Sequence, residues 1–136
     1  MKNPKRFGIP CFKYLVNLPE YRSGNYTTQK LASDLIAVAT EHGWTDKTQI
    51  ETSIIYRWIQ GFTVPKWAQQ AALELAVSRG WQIVDDDDVW CAVWILRDEC
   101  KLLDDNCVTA TLTRHGLKVP ATLGAVLDNV IDAINL

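Results

Sequence analysis

The chain has 136 residues, 48% of them hydrophobic, six of them tryptophan, with a net charge of −2; that is one domain, or a small domain with a C-terminal addition, long enough to bury a real core. The slightly acidic balance argues against an indiscriminate polyanion binder, and four cysteines with neither CxxC nor CxxH spacing argue against a metal site of zinc type. No apolar run approaches membrane-spanning length and no secretory-signal pattern stands at the N-terminus, so the expectation is a cytoplasmic protein with reduced thiols and no membrane partner.

Charge divides along the chain. Residues 1–80 hold ten Lys and Arg against six Asp and Glu, a balance of +4, while residues 81–136 hold four against ten, a balance of −6. The first half suits an approach to phosphates; the second stays off them.

In chain order, residues 1–26 carry Pro4, Gly8, Pro10, Pro19 and Gly24, breakers too closely spaced for a long helix, and read as an irregular N-terminal arm. Within it Cys11 to Val16 suits a short strand or one helical turn laid over the core by its aromatics. Lys2, Lys5 and Arg6 are either phosphate contacts of a loose arm or simply solvated. Thr27 or Thr28 can cap a helix whose buried stripe is Leu31, Leu35, Val38 and Ala39, ending at His42-Gly43. His42 in its last turn complements the helix dipole without any catalytic role.

Thr45-Asp46 is a second cap signal, for a helix that either breaks at Gln49-Ile50 or runs on to Gln60. In the segment Ser53-Ile54-Ile55-Tyr56-Arg57-Trp58-Ile59-Gln60-Gly61, Ile55 and Trp58 form a buried pair three residues apart. Gly61 stops the helix, and Ser53, Tyr56, Arg57 and Gln60 face outward. Pro65 then opens a helix with Trp67, Ala71 and Leu75 on its buried face and Ala68, Ala72 and Ala76 on its flank, closed by Arg79-Gly80.

Asp85-Asp86-Asp87-Asp88 is a helix N-terminus, because carboxylates satisfy free amides and complement the positive dipole end. A calcium or magnesium loop would need further oxygen ligands and a bending glycine. Val89, Val93, Leu96, Cys100 and Leu103 make the stripe of the helix that follows, flanked by Trp90 and Trp94. A segment around Cys107 to Leu112 breaks at His115-Gly116. The last helix, from about Pro120, has a wide apolar face of Leu123, Val126, Leu127, Val130, Ile131 and Ile134, which docks either on the preceding helices or on a second copy.

The stretch Ser53 to Gly61 resembles the recognition helix of the Cro/cI-type helix-turn-helix repressors of phages and plasmids, where an isoleucine or valine, a tryptophan and a glycine recur at this spacing. The resemblance covers about residues 28 to 80. Laid on the chain, it puts the first helix of the motif at Glu41 to Thr48 and the turn at Gln49-Ile50, with Thr45 where the family has a small residue and Gln49 where it has glycine. In an alternative layout the first helix is Thr28 to His42, with a longer link through Gly43 to Asp46. If residues 46–60 form one continuous helix, the segment is a plain bundle helix.

The expected fold is therefore all-α: an arm (1–26), a helix-turn-helix-like core (27–80) and an acidic helical C-terminal region (81–136). Two histidines, no phosphate-binding glycine loop and no GxSxG or HExxH motif leave enzymatic chemistry little footing, and no cofactor is expected. The resemblance implies a sequence-specific regulator of phage or mobile-element type, bound to a double-stranded DNA operator. Thr52, Ser53, Tyr56 and Arg57 would meet base edges, with Arg57 suited to a bidentate guanine contact, while Lys47, Gln60, Thr63 and Lys66 would contact phosphates. A homodimer through Val126, Val130 and Ile134 would match a two-fold operator. The alternative is a small phage-encoded inhibitor that binds a host protein through its acidic half and exposed tryptophans.

Overall fold

The computed structural model describes residues 9–24 and 26–136. Seven helices appear among them: α1 (Ile9–Val16), α2 (Gln29–Glu41), α3 (Thr52–Ile59), α4 (Lys66–Ser78), α5 (Asp86–Leu96), α6 (Asp105–Arg114) and α7 (Gly124–Ile134). A two-stranded antiparallel hairpin, β1 (Arg22–Ser23) and β2 (Tyr26–Thr27), pairs Arg22 with Thr27 and Ser23 with Tyr26. The class is all-α, as expected. No helix among the described residues is long and apolar enough to cross a membrane.

Within the stretch expected as an irregular arm, Ile9–Val16 is a helix, the helical one of the two alternatives for Cys11 to Val16 and longer than one turn. Pro10 is the second residue of α1, and proline is well tolerated at the start of a helix. Cys11, Phe12 and Leu15 on its inner face are wholly buried. Lys2, Lys5 and Arg6 lie outside the described residues. Tyr21, in a short 3-10 turn after α1, is buried too, and its hydroxyl donates to the Asp34 carboxylate at 2.8 Å. Burial and that carboxylate push its phenol up to about 12.

At the centre stands α4, packed against α1, α2 and α5. Ala68, Ala71, Ala72 and Ala76 are buried there, and their small side chains allow three helices to come close to one axis. A second group forms where α5 meets α6 and α7. The two groups share one apolar cluster from Cys11 to Ile131, crossed by the Cys11 and Cys91 thiols, whose Sγ atoms lie 3.7 Å apart.

Helix ends follow local rules. Asp85 caps α5, its Oδ1 accepting from the Asp88 amide at 2.9 Å, while Asp88 reaches back to accept from the Val84 amide at 3.0 Å. The acidic run is thus a reciprocal cap. Burial holds the Asp88 carboxyl above the usual carboxylate range. Asp104 caps α6 in the same way through the Cys107 amide. Thr28 occupies the cap position of α2, yet its hydroxyl makes no capping bond. At the other end of α3, Gly61 adopts φ +107°, and the Phe62 amide bonds to the Arg57 carbonyl at 3.1 Å. That is a Schellman stop, which a side-chain-bearing residue at Gly61 would strain. The same five-residue bond, one residue past a glycine, closes α2, α4 and α6.

Two expected boundaries differ. The α5 helix ends at Leu96 and tightens into a 3-10 turn (Arg97–Glu99), so Cys100 and Leu103 lie beyond it and only half-buried. Asp46 starts no helix. The Lys47 amide donates to the Thr45 hydroxyl at 3.2 Å, a local turn that uses up the capping group.

Candidate nucleic-acid interface

The layout around α3 is the one with the longer link. Residues 42–51 join α2 to α3 without helix, so neither a helix over Glu41 to Thr48 nor a tight turn at Gln49-Ile50 is present. A helix of the length of α2 spans roughly 20 Å, and an extended ten-residue link covers that distance with slack. The link runs back along α2. Gln29, at the start of α2, donates to the Ile50 carbonyl at 2.9 Å and accepts from the Thr52 hydroxyl at 3.1 Å, so the first turns of both helices are tied together.

The buried side of α3 is Ile55, fully enclosed, and Trp58, which packs between Phe12 of α1 and Trp67 of α4. The pair expected from the spacing therefore anchors the helix. Burying a side chain of this size contributes on the order of 1.5–3 kcal/mol, which fixes which face of α3 turns to solvent.

On that outer face Ser53, Arg57 and Gln60 are exposed, and Lys47 and Thr63 are exposed on the flanking segments. The Ser53 hydroxyl lies 3.4 Å from the Glu51 carboxylate at the helix start. Neither the Arg57 guanidinium nor the Lys47 ammonium has an ion-pair partner among the described residues.

Three candidate contacts have structural duties instead. Thr52 is half-buried, and its hydroxyl proton is committed to Gln29. The Tyr56 ring is at the surface, but its hydroxyl accepts a 2.6 Å hydrogen bond from the Thr27 amide, tying α3 to the hairpin. That bond holds the Tyr56 phenol below its ordinary range, with the nearby Arg22 charge adding to the effect. Lys66 is salt-linked to Asp98, whose carboxyl it holds below the usual range. Each of these side chains has a partner inside the protein that a ligand would have to displace.

The three candidate dimer contacts differ in exposure. Val130 is fully enclosed within its own chain, where α7 packs on α5 and α6, so it has no surface to offer a second copy. Val126 and Ile134 are half-buried on the same helix. A wide apolar face was required because α7 bridges two neighbours.

Elsewhere, His42 Nε2 lies 2.8 Å from the Glu74 carboxylate with its ring stacked on Trp44, and His115 Nε2 lies 2.9 Å from Glu99. Both histidines join neighbouring elements. Among the described residues no group of three His, Cys, Asp or Glu side chains is placed to hold a metal ion.

Sequence reasoning missed the hairpin beside α3. Arg22 and Tyr26 stand on it, and Tyr26 keeps 76% of its surface exposed. The signal was present in the sequence as the dipeptide Gly24-Asn25, a pair suited to a two-residue hairpin turn. Comparison with protein-family models, with curated proteins and with solved structures finds no match to this chain.

Proposed function

We propose that the protein is a sequence-specific DNA-binding regulator of phage or mobile-element type that acts by occupying its site rather than by chemistry. The observation that carries this reading is the two-sidedness of α3. Ile55 and Trp58 lock one face into the core, and Ser53, Arg57 and Gln60 are left outward on the other. Arg57 carries two parallel donors suited to the O6 and N7 atoms of guanine, and Ser53 and Gln60 add short-range hydrogen bonding. Lys47 and Thr63 flank the helix where a phosphate backbone would pass.

The reading rests on the surface chemistry of α3 together with the Ile55-Trp58-Gly61 spacing of the Cro/cI-type recognition helix. It does not rest on a tight helix-turn-helix, because the link from α2 is ten residues long. The N-terminal ties through Gln29 take over the orienting work that a short turn does in that motif.

Selection of bound duplexes from a random DNA pool tests the proposal. The expected result is enrichment of a defined site, with affinity falling log-linearly as salt rises. A pool without enrichment, from a protein that retains no duplex at low salt, would overturn it and favour a host-protein partner.

A further inference from the structure

We infer that Phe62 is a base-reading residue beside Arg57, its ring packing on the C5-methyl group of a thymine in the base pair next to the guanine that Arg57 contacts. This rests on the DNA-binding reading above and adds to it a sequence preference that the recognition-helix pattern does not contain.

Four helices of this protein stop in the same way, and comparing them singles out α3. At the ends of α2, α3, α4 and α6 the glycines Gly43, Gly61, Gly80 and Gly116 have positive φ. The amide of the next residue then bonds to a carbonyl five residues back: Trp44 to Ala39 at 2.8 Å, Phe62 to Arg57 at 3.1 Å, Trp81 to Ala76 at 2.9 Å and Leu117 to Leu112 at 2.9 Å. In this stop the two bonded residues are neighbours, and an apolar contact between them commonly seals the helix end. Three of the four ends have the burial that such a seal requires. Ala39, Ala76 and Leu112 are buried, as are Trp81 and Leu117, and Trp44 packs partly against the core. The end of α3 keeps the backbone arrangement and inverts the burial: Arg57 is exposed, and Phe62 retains 59% of its surface. The phenyl ring therefore does little for the core, and its neighbour in the stop is a guanidinium side chain instead of an apolar one.

This pair also stands clear of the carboxylate at the start of α3. Glu51 precedes the first turn, whereas Arg57 is in the last turn and Phe62 lies two residues past the cap residue Gln60. A helix of eight residues puts about 12 Å between those ends.

The chemistry of the ring narrows what it can read. A phenyl group offers no donor or acceptor, and on the base edges of the major groove the apolar feature is the thymine C5-methyl. Successive base pairs are about 3.4 Å apart, so a ring beside an arginine engaged on guanine O6 and N7 meets the next pair in the stack.

The test uses the full chain and the duplex selected by the wild type. Each thymine is replaced in turn by deoxyuridine, which removes the methyl group and nothing else. Wild type should lose about fourfold in affinity at one position, beside the guanine whose replacement Arg57→Ala tolerates; that is what burying one methyl-sized group is worth. Phe62→Ala should bind the thymine and deoxyuridine duplexes equally, while Arg57→Ala keeps the difference between them. Should Phe62→Ala lower the melting temperature, Phe62→Gln keeps a side-chain stem at the helix end and removes the apolar ring, and it too should bind both duplexes equally. A selected site with no thymine beside that guanine, a wild type indifferent to every deoxyuridine, or a methyl effect that persists in the Phe62 variants would overturn the inference and leave the DNA-binding reading standing. A wild type that binds no duplex would take down both.

Discussion

Phe12 and Trp58 pack with ring centroids 5.2 Å apart and planes inclined at 44°, so α1 forms the floor beneath α3. Trp67 closes the other side of the same indole edge-on at 6.0 Å. The orientation of α3 thus depends on an aromatic stack drawn from three helices. Trp58→Ala should cost about 3–5 kcal/mol of stability, as large aromatic truncations in packed cores do. Denaturant melts check this, and curves that overlay the wild type would contradict the packing.

Arg57→Ala should leave those melts unchanged, because its side chain is exposed and has no ion-pair partner among the described residues. Affinity for the selected duplex should fall by about 1–3 kcal/mol, the worth of one bidentate base contact. A titration showing unchanged affinity and unchanged sequence preference would remove α3 from the reading role.

Val130→Asp separates the two fates of the apolar face on α7. With Val130 enclosed in its own chain, the substitution buries an unpaired charge and should destabilise the protomer by about 3–5 kcal/mol. Sedimentation together with a melt tells the cases apart. A variant that stays fully stable and merely loses a dimer would restore the face to an interface between copies.

Asp88 gives a pH dependence of definite sign. Burial raises its folded-state value above the ordinary 3.8, so between the two values the native state holds more protons than the unfolded chain. The stability it contributes is present below the ordinary value and is lost as pH rises through the folded one. Asp88→Asn keeps an oxygen acceptor for the Val84 amide and removes the ionisation. Urea melts from about pH 4 to about pH 7 should show this segment of the profile flattened, with the variant at least as stable as wild type at the upper end.

Thiol reactivity should divide by pair. Cys11 and Cys91 are fully buried, and burial pushes the Cys11 thiol well up, whereas Cys100 and Cys107 are half-exposed. A native alkylation time course should modify Cys107 early and leave Cys11 and Cys91 untouched until urea is added. Early labelling of Cys11 would show that α1 opens away from α5.

The parts of this structure that could be read in advance are those written within a few residues. Ile55, Trp58 and Gly61 lie within one helical turn and its stop, and Asp85 caps an amide three residues on, so each signal is complete in its own window. The parts that could not be read need a distant partner. Pro10 looks like a breaker until its place in a first turn is known, and only the core beneath explains why α1 is helical. Tyr56 reads as a free contact residue because Thr27, which binds it, is 29 residues away. The width of the α7 face likewise signals burial without saying against which surface.

Between α2 and α3 the link buries Ile50 and packs Trp44 partly against the core, and the hold on α3 comes from Gln29, Ile55, Trp58 and Tyr56. Doubling the length of a flexible loop costs only about 0.6 kcal/mol. Spacer length and the orientation of α3 are therefore uncoupled here. Residues inserted between Asp46 and Gln49 would leave the outer face of α3 where it is, which makes this segment a natural place to graft a fluorescent reporter or to absorb length variation.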